Sequence, residues 1–268
     1  MFEFLQYSFM QRALAAAALL SPLCALLGVF VISRKMSFFS DTVGHSALAG
    51  VAIGILIGLV NPTLTLLITS LLVAILILWL KENTDLVTDT IMALLFSFMM
   101  AVAIIIFSLL KGFQSDLHRY LFGDILSLGK SDLIILTFIF IAVLYLIFRY
   151  LNEFILISAN EELAKVCGIN TKKTNYIFAL SLTVVVAFSI RLLGIILVTS
   201  LLVIPAAAAR NISKNLRQQL LFSLAFGFLS AMSGAIASYY LNLPSGPCIT
   251  IVCVITFIIS TLWKKIIA

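Results

Sequence analysis

Asp41 and His45 stand one helical turn apart in the stretch Ser40-Asp-Thr-Val-Gly-His-Ser-Ala-Leu-Ala-Gly50, at the head of a long apolar run. On a helix, positions i and i+4 share a face, so this carboxylate and this imidazole can hold one cation between them. Carboxylate oxygen and neutral imidazole nitrogen suit borderline divalent ions such as Zn²⁺, Mn²⁺ or Fe²⁺. Two ligands fall short of the roughly four that close a structural zinc site. A site that must release its ion is served by fewer, with water or a second copy of the chain completing the shell. A plainer reading stands beside this one: Asp41 serves the N-terminus of its helix while His45 hydrogen-bonds a neighbouring helix.

The elements that must position this pair are apolar. Of 268 residues, 63% are hydrophobic and 10% charged, against about 25% charged in a soluble domain; the mean hydropathy is +1.21. Apolar runs at roughly 13–33, 40–60, 63–80, 87–110, 132–150, 174–190, 192–209, 218–240 and 247–263 match a hydrocarbon core of about 30 Å. They predict an all-α polytopic membrane protein, one transmembrane domain over residues 1–268 with about nine spanning helices. Only Ser189–Leu193 separates the sixth run from the seventh, so eight spans is the alternative. An ionisable pair within such a chain demands a functional reason.

The net charge of +6 resides in short loops, where it sets orientation and does not point to nucleic acid. With the 151–173 loop in the cytoplasm, Arg34, Lys35, Lys81, Arg149, Lys165, Lys172, Lys173, Arg210, Lys214, Arg217, Lys264 and Lys265 fall inside. Arg12, Lys111, Arg119, Lys130 and Arg191 fall outside, twelve against five of the 17 basic residues. That asymmetry predicts an N-terminus outside and a C-terminus inside. Cys24, Cys167, Cys248 and Cys253 form no CxxC or metal-knuckle spacing. Ser46, Gly50, Gly54 and Gly58 recur every fourth residue along the second run, and Ser230, Gly234 and Ser238 along the eighth. Such stripes let helix backbones approach in lipid; helix packing and the lining of a pathway are both consistent with them.

Between the spans, Leu117–Leu128 is expected to form a short amphipathic surface helix. Gly123 to Ser131 imitates a phosphate-binding loop, but five residues separate Gly123 from Gly129 where the motif takes four, so the chain is expected to carry no ATPase site. In the 151–173 loop, Ser158 or Asn160 can cap a helix, Glu161 and Glu162 suit its first turn, and Gly168 is placed to end it. A helix of about two turns is marginal alone in water. It is either a connector on the membrane surface or a docking helix for a soluble partner. Pro205 interrupts the seventh run late and is expected to kink it.

Taken in order, four stretches resemble the metal-transport permease family of bacterial ABC importers, the zinc/manganese/iron type. They are Asp41-x-x-x-His45-Ser46 with Gly50; Glu162-Leu-Ala164 with Gly168; Gly194-x-x-Leu197-Val-x-x-Leu201-Leu-x-x-Pro205-Ala206; and Gly234 followed by Leu243-Pro244-Ser245-Gly246. The resemblance spans essentially the whole chain. It implies a multi-pass permease subunit of the bacterial cytoplasmic (inner) membrane that works as a homodimer. Two separate ABC ATPase subunits would sit below it and a metal-binding capture protein outside. Asp41 and His45 would then lie on the metal's route, and the Asn160–Gly168 helix, with Glu161, Glu162 and Ala164, would be the coupling helix seated in the ATPase. Relatives often carry Asp where this chain has Asn160; both residues cap.

The expected function is therefore import of a divalent transition metal, zinc before manganese or iron, with ATP used by the partner subunit and nothing bound permanently. An ion-gradient-coupled secondary transporter is the alternative, a class that usually needs more buried charge than this chain offers. A metalloprotease would want HExxH, and His45 and His118 lack such neighbours.

Overall fold

In a computed structural model, residues 7–59, 62–110, 129–241 and 243–267 are described. They form eleven helices: α1 (Ser8–Ser33), α2 (Phe39–Leu56), α3 (Thr63–Asn83), α4 (Thr88–Leu109), α5 (Lys130–Arg149), α6 (Leu151–Ala159), α7 (Glu161–Val166), α8 (Thr171–Leu193), α9 (Ile195–Ile212), α10 (Leu216–Leu241) and α11 (Ser245–Ile267). Among the described residues there is no strand. Nine of these helices, all but α6 and α7, are long and apolar enough to cross a membrane. The surface helix expected over Leu117–Leu128 lies outside the described residues, as does most of the segment that imitates a phosphate-binding loop.

The sixth and seventh apolar runs are two separate helices. The chain breaks at Gly194, with φ 80° and ψ 162°, a backbone state that a side chain would strain. Its amide still donates to the Ile190 carbonyl at 2.9 Å, so α8 ends cleanly before α9 begins. The nine-residue α6 was not foreseen. It follows α5 after a bend at Tyr150, where ψ is 13°.

α2 is the least apolar of the nine spanning helices and the most enclosed, with 72% of its central window buried against 17% for α5. It packs against α3, α4, α8 and α9. A helix carrying Asp, His, Ser and Thr cannot face lipid cheaply, so its neighbours take the lipid contact in its place. Thr42 Oγ1 donates to the Met92 carbonyl of α4 at 3.2 Å. Around the other flank, α1 packs on α9 and α10, and α11 closes on both. Ser223 of α10 donates to the Ala25 carbonyl of α1 at 2.9 Å.

The small-residue stripe on α2 packs on α3. A Cβ at Gly50 would meet the Thr65 carbonyl oxygen at 2.7 Å and the Leu66 Cα at 2.9 Å; at Gly54 it would meet the Pro62 Cβ at 2.7 Å. Ser46 is fully buried in the same seam. Gly58 departs from the expected stripe. It lies past the end of α2 with φ 82° and nothing within reach of an added Cβ. There it closes the helix, its amide bonded to the Ile55 carbonyl and that of Leu59 to the Gly54 carbonyl, the arrangement that favours glycine after a last turn. On α10, a Cβ at Gly234 would meet Ile249 of α11 at 2.7 Å from Cγ1 and 3.0 Å from the amide nitrogen. Ser230 and Ser238 are buried on that helix too. Pro205 lies inside α9, buried, and faces Gly227 of α10.

These contacts rank two substitutions. Gly50→Val forces a branched side chain onto the backbone of α3 and should cost up to about 3 kcal/mol. Gly58→Ala meets only backbone strain, about 1 kcal/mol. Thermal unfolding of the purified chain in detergent should order them so; equal losses would count against the packing role of Gly50.

Candidate functional site

α2 begins without a side-chain cap, because Phe38 occupies the N-cap position. Asp41 lies in the first turn, where the helix dipole favours a negative charge. Asp41 and His45 are both half-buried. The His45 ring stands edge-on to Phe96 of α4, centroids 4.6 Å apart and planes at 81°. Its Nδ1 is buried with no hydrogen-bond partner among the described residues. A buried polar atom left unpaired costs about 1–3 kcal/mol. The neighbour-helix hydrogen bond of the plainer reading is therefore missing at this nitrogen.

Asp41 opens onto a cavity of about 840 Å³ whose lining includes Lys35, Phe38, Asp89, Thr199 and Ser200. Lys35 and Asp89 belong to the end of the bundle where α7 lies, so the cavity reaches Asp41 from that end. His45 is one turn deeper along the same helix. Thr199 of α9 approaches the Asp41 carboxylate. Beside it Ser200 accepts from Thr250 of α11 at 3.1 Å and donates to the Ile196 carbonyl at 2.6 Å. These hydroxyls escaped the sequence reading, because Ser and Thr in apolar helices commonly bond their own preceding turn. Asp89 lies exposed in the first turn of α4 and forms part of the cavity wall.

Among the described residues, no group of three or more His, Cys, Asp and Glu side chains is placed to hold a metal ion. Among the described residues, Asp41 and His45 share one helix face with no third such side chain beside them.

The second candidate region is α7. Asn160 Oδ1 accepts from the amides of Glu162 and Leu163 at 2.9 and 3.1 Å. Gly168, at φ 80°, ends the helix with the Ile169 amide bonded to the Ala164 carbonyl at 3.1 Å. Asn160 is the cap; Ser158 belongs to α6 and bonds elsewhere. Ala164 is fully buried, whereas Leu163 and Val166 are 58% and 85% exposed. Glu162 is exposed, and Glu161 turns inward to Asn175 of α8 at 3.3 Å. The helix is thus pinned by its inner side and presents apolar side chains outward. α7 packs on α6 and α8, and its Glu161 also faces Lys81 of α3.

Residues 6–264 match the family described as the ABC 3 transport family. The chain is 35% identical over 253 residues to the high-affinity zinc uptake system membrane protein ZnuB of Haemophilus influenzae, covering 94% of this chain and 96% of that one. It is 32% identical over 259 residues to the manganese transport system membrane protein MntC of Listeria monocytogenes, covering 97% and 92%. Among solved structures, PsaBC from Streptococcus pneumoniae in complex with Fab superposes with a TM-score of 0.85 at 29% identity, covering 99% of each chain.

The unpaired Nδ1 gives a test of what His45 is for. His45→Leu should leave the thermal midpoint of the purified chain unchanged or raise it, because it removes a buried unpaired nitrogen and retains apolar bulk against Phe96. A clear drop would assign His45 a packing role.

Proposed function

The chain belongs to the ABC 3 transport family, and from that premise we propose that it imports a divalent transition metal as the membrane-spanning subunit of an ATP-driven transporter. The observation that carries this reading is the Asp41–His45 pair. It stands on the most enclosed spanning helix, with Asp41 on a cavity and one His45 ring nitrogen without a hydrogen-bond partner among the described residues. The named zinc and manganese relatives support a cargo of that class. Carboxylate and imidazole suit either ion, so zinc and manganese are both within the proposal, with iron the next candidate.

Each part then has a role. Asp41 and His45 take the ion in transit. A second copy of the chain, or water, supplies the remaining ligands, since the described residues of one copy offer two. An ion held by few ligands leaves readily, which a transport site requires. Asp41 supplies charge and His45 a softer donor. Thr199 orients the carboxylate, as outer partners of a metal ligand commonly do. ATP is hydrolysed by separate cytoplasmic subunits, and α7 is the helix they hold, with Leu163 and Val166 as its apolar contacts and Glu162 beside them. An extracytoplasmic metal-binding protein delivers the ion. The excess of Lys and Arg at the α7 end supports a cytoplasmic location for that end and an N-terminus outside; Asp41 then works in the inner half of the membrane.

Two experiments test the reading. Asp41→Ala and His45→Ala should each abolish most metal uptake by the complete complex in proteoliposomes while the chain still inserts; normal uptake of Zn²⁺, Mn²⁺ and Fe²⁺ by both variants would sink the site. Glu162→Lys combined with Gly168→Pro, a proline where φ is positive, should remove stimulation of ATP hydrolysis by the loaded capture protein. Intact stimulation would show that α7 is not the coupling element.

A further inference from the structure

Arg34 lies in the turn between α1 and α2, one residue past the end of α1 and seven before Asp41. Its guanidinium is held by three acceptors, none of them charged. Nε donates to Ser158 Oγ of α6 at 3.2 Å, Nη1 to Asn175 Oδ1 of α8 at 3.1 Å, and Nη2 reaches the Phe154 carbonyl at 3.5 Å. The guanidinium carbon stands 4.3 Å from the ring centre of Phe178 and 5.3 Å from that of Phe154. Those two rings meet edge to face at 5.5 Å, and Phe30 packs on both. Burial lowers the guanidinium pKa to about 10, and Glu161 pulls it back upward; at neutral pH it is charged. Half-burying a cation without a carboxylate in direct contact with it costs stability. A site that does so needs a reason other than holding helices together, which an apolar side chain would do as well.

The reason lies in what Asn175 touches next. Its Nδ2 donates to Glu161 Oε1 at 3.3 Å, and Glu161 is the first residue of α7. The second oxygen of Glu161 lies 3.9 Å from Lys81 Nζ of α3. A continuous polar chain therefore runs from α7 through Asn175 to Arg34. Beyond Arg34 the turn is stiff. Lys35 takes φ 55°, the single non-glycine residue with positive φ among those described. The Met36 amide bonds the Val31 carbonyl at 2.9 Å, and the Phe39 amide bonds the Met36 carbonyl at 3.0 Å. Met36 and Phe39 are buried. These bonds tie Arg34 to the first turn of α2, where Asp41 sits.

We propose that Arg34 is a positioning residue for transport, locking the start of α2 to α7 through Asn175 and Glu161 so that motion of α7 moves Asp41. This rests on the readings of α7 as the coupling helix and of Asp41 as a cargo ligand. Lysine cannot replace the arginine here, because the planar fork reaches α6 and α8 at once while its face lies on Phe178.

The test uses the complete complex in proteoliposomes with Zn²⁺ or Mn²⁺. It measures metal transported per ATP hydrolysed for Arg34→Lys and for Asn175→Ala, which leaves the Arg34 contacts to Ser158 and Phe154 in place. Both should lower that ratio about tenfold, the scale of a typical coupling between sites, while ATP hydrolysis and the thermal midpoint stay near wild type. Uptake and hydrolysis that fall together with the thermal midpoint would make Arg34 a structural staple and overturn the proposal, as would an unchanged ratio in both variants. Gly168→Pro with Glu162→Lys, run alongside, separates the two failures. If that variant loses stimulation while Arg34→Lys transports normally, only the role of Arg34 falls. If its stimulation is intact, the reading of α7 falls first.

Discussion

A helix that carries Asp41, Thr42, His45 and Ser46 cannot be left to lipid, and the rest of the bundle is arranged around that constraint. In hydrocarbon, polar and ionisable side chains are expensive and turn toward protein. α2 is accordingly wrapped by α3, α4, α8 and α9, while the most apolar helices, α3, α4 and α5, take the outer positions with much lower burial. The order of burial thus runs opposite to the order of hydropathy at its extreme. In a soluble core the least apolar helix would be the outer one.

Enclosure of that kind has no hydrophobic drive behind it in a membrane, so it depends on fit and on polar ties. Gly50 and Gly54 bring α2 against the backbone of α3, and Gly234 does the same between α10 and α11. Hydroxyls add ties that cost little: Thr42 to α4, Ser223 to α1, Thr250 to Ser200. The exceptions to satisfaction are informative. Among the described residues' buried side-chain atoms without a partner, the Nδ1 of His45 is the one imidazole nitrogen, and it lies one turn from a carboxylate, Asp41.

Much of this was legible in the sequence. Nine apolar runs gave nine helices, the Asp41–His45 spacing gave a shared face, and Asn160 with Gly168 gave a capped helix that the coordinates place at Glu161–Val166. Local rules suffice there, because caps and periodicity are written within a few residues. What could not be read depended on contacts between distant segments. Gly58 continued a four-residue spacing yet serves as a terminator, since spacing does not say where a helix stops. α6 merged with its loop because its pattern is too short to stand out. Thr199 and Arg34 gain meaning only from what faces them, Asp41 in one case and Ser158, Phe154 and Asn175 in the other. The Gly194 break separates the sixth and seventh runs, so nine of the described helices are long and apolar enough to span, a point that hydropathy alone left at eight or nine.

The outward face of α7 has a consequence for the life of the chain before it meets its partners. Leu163 and Val166 stand in water on a six-residue helix that could not persist by itself. Covering these two side chains would release free energy, so a partner seated on α7 would steady the helix as it binds.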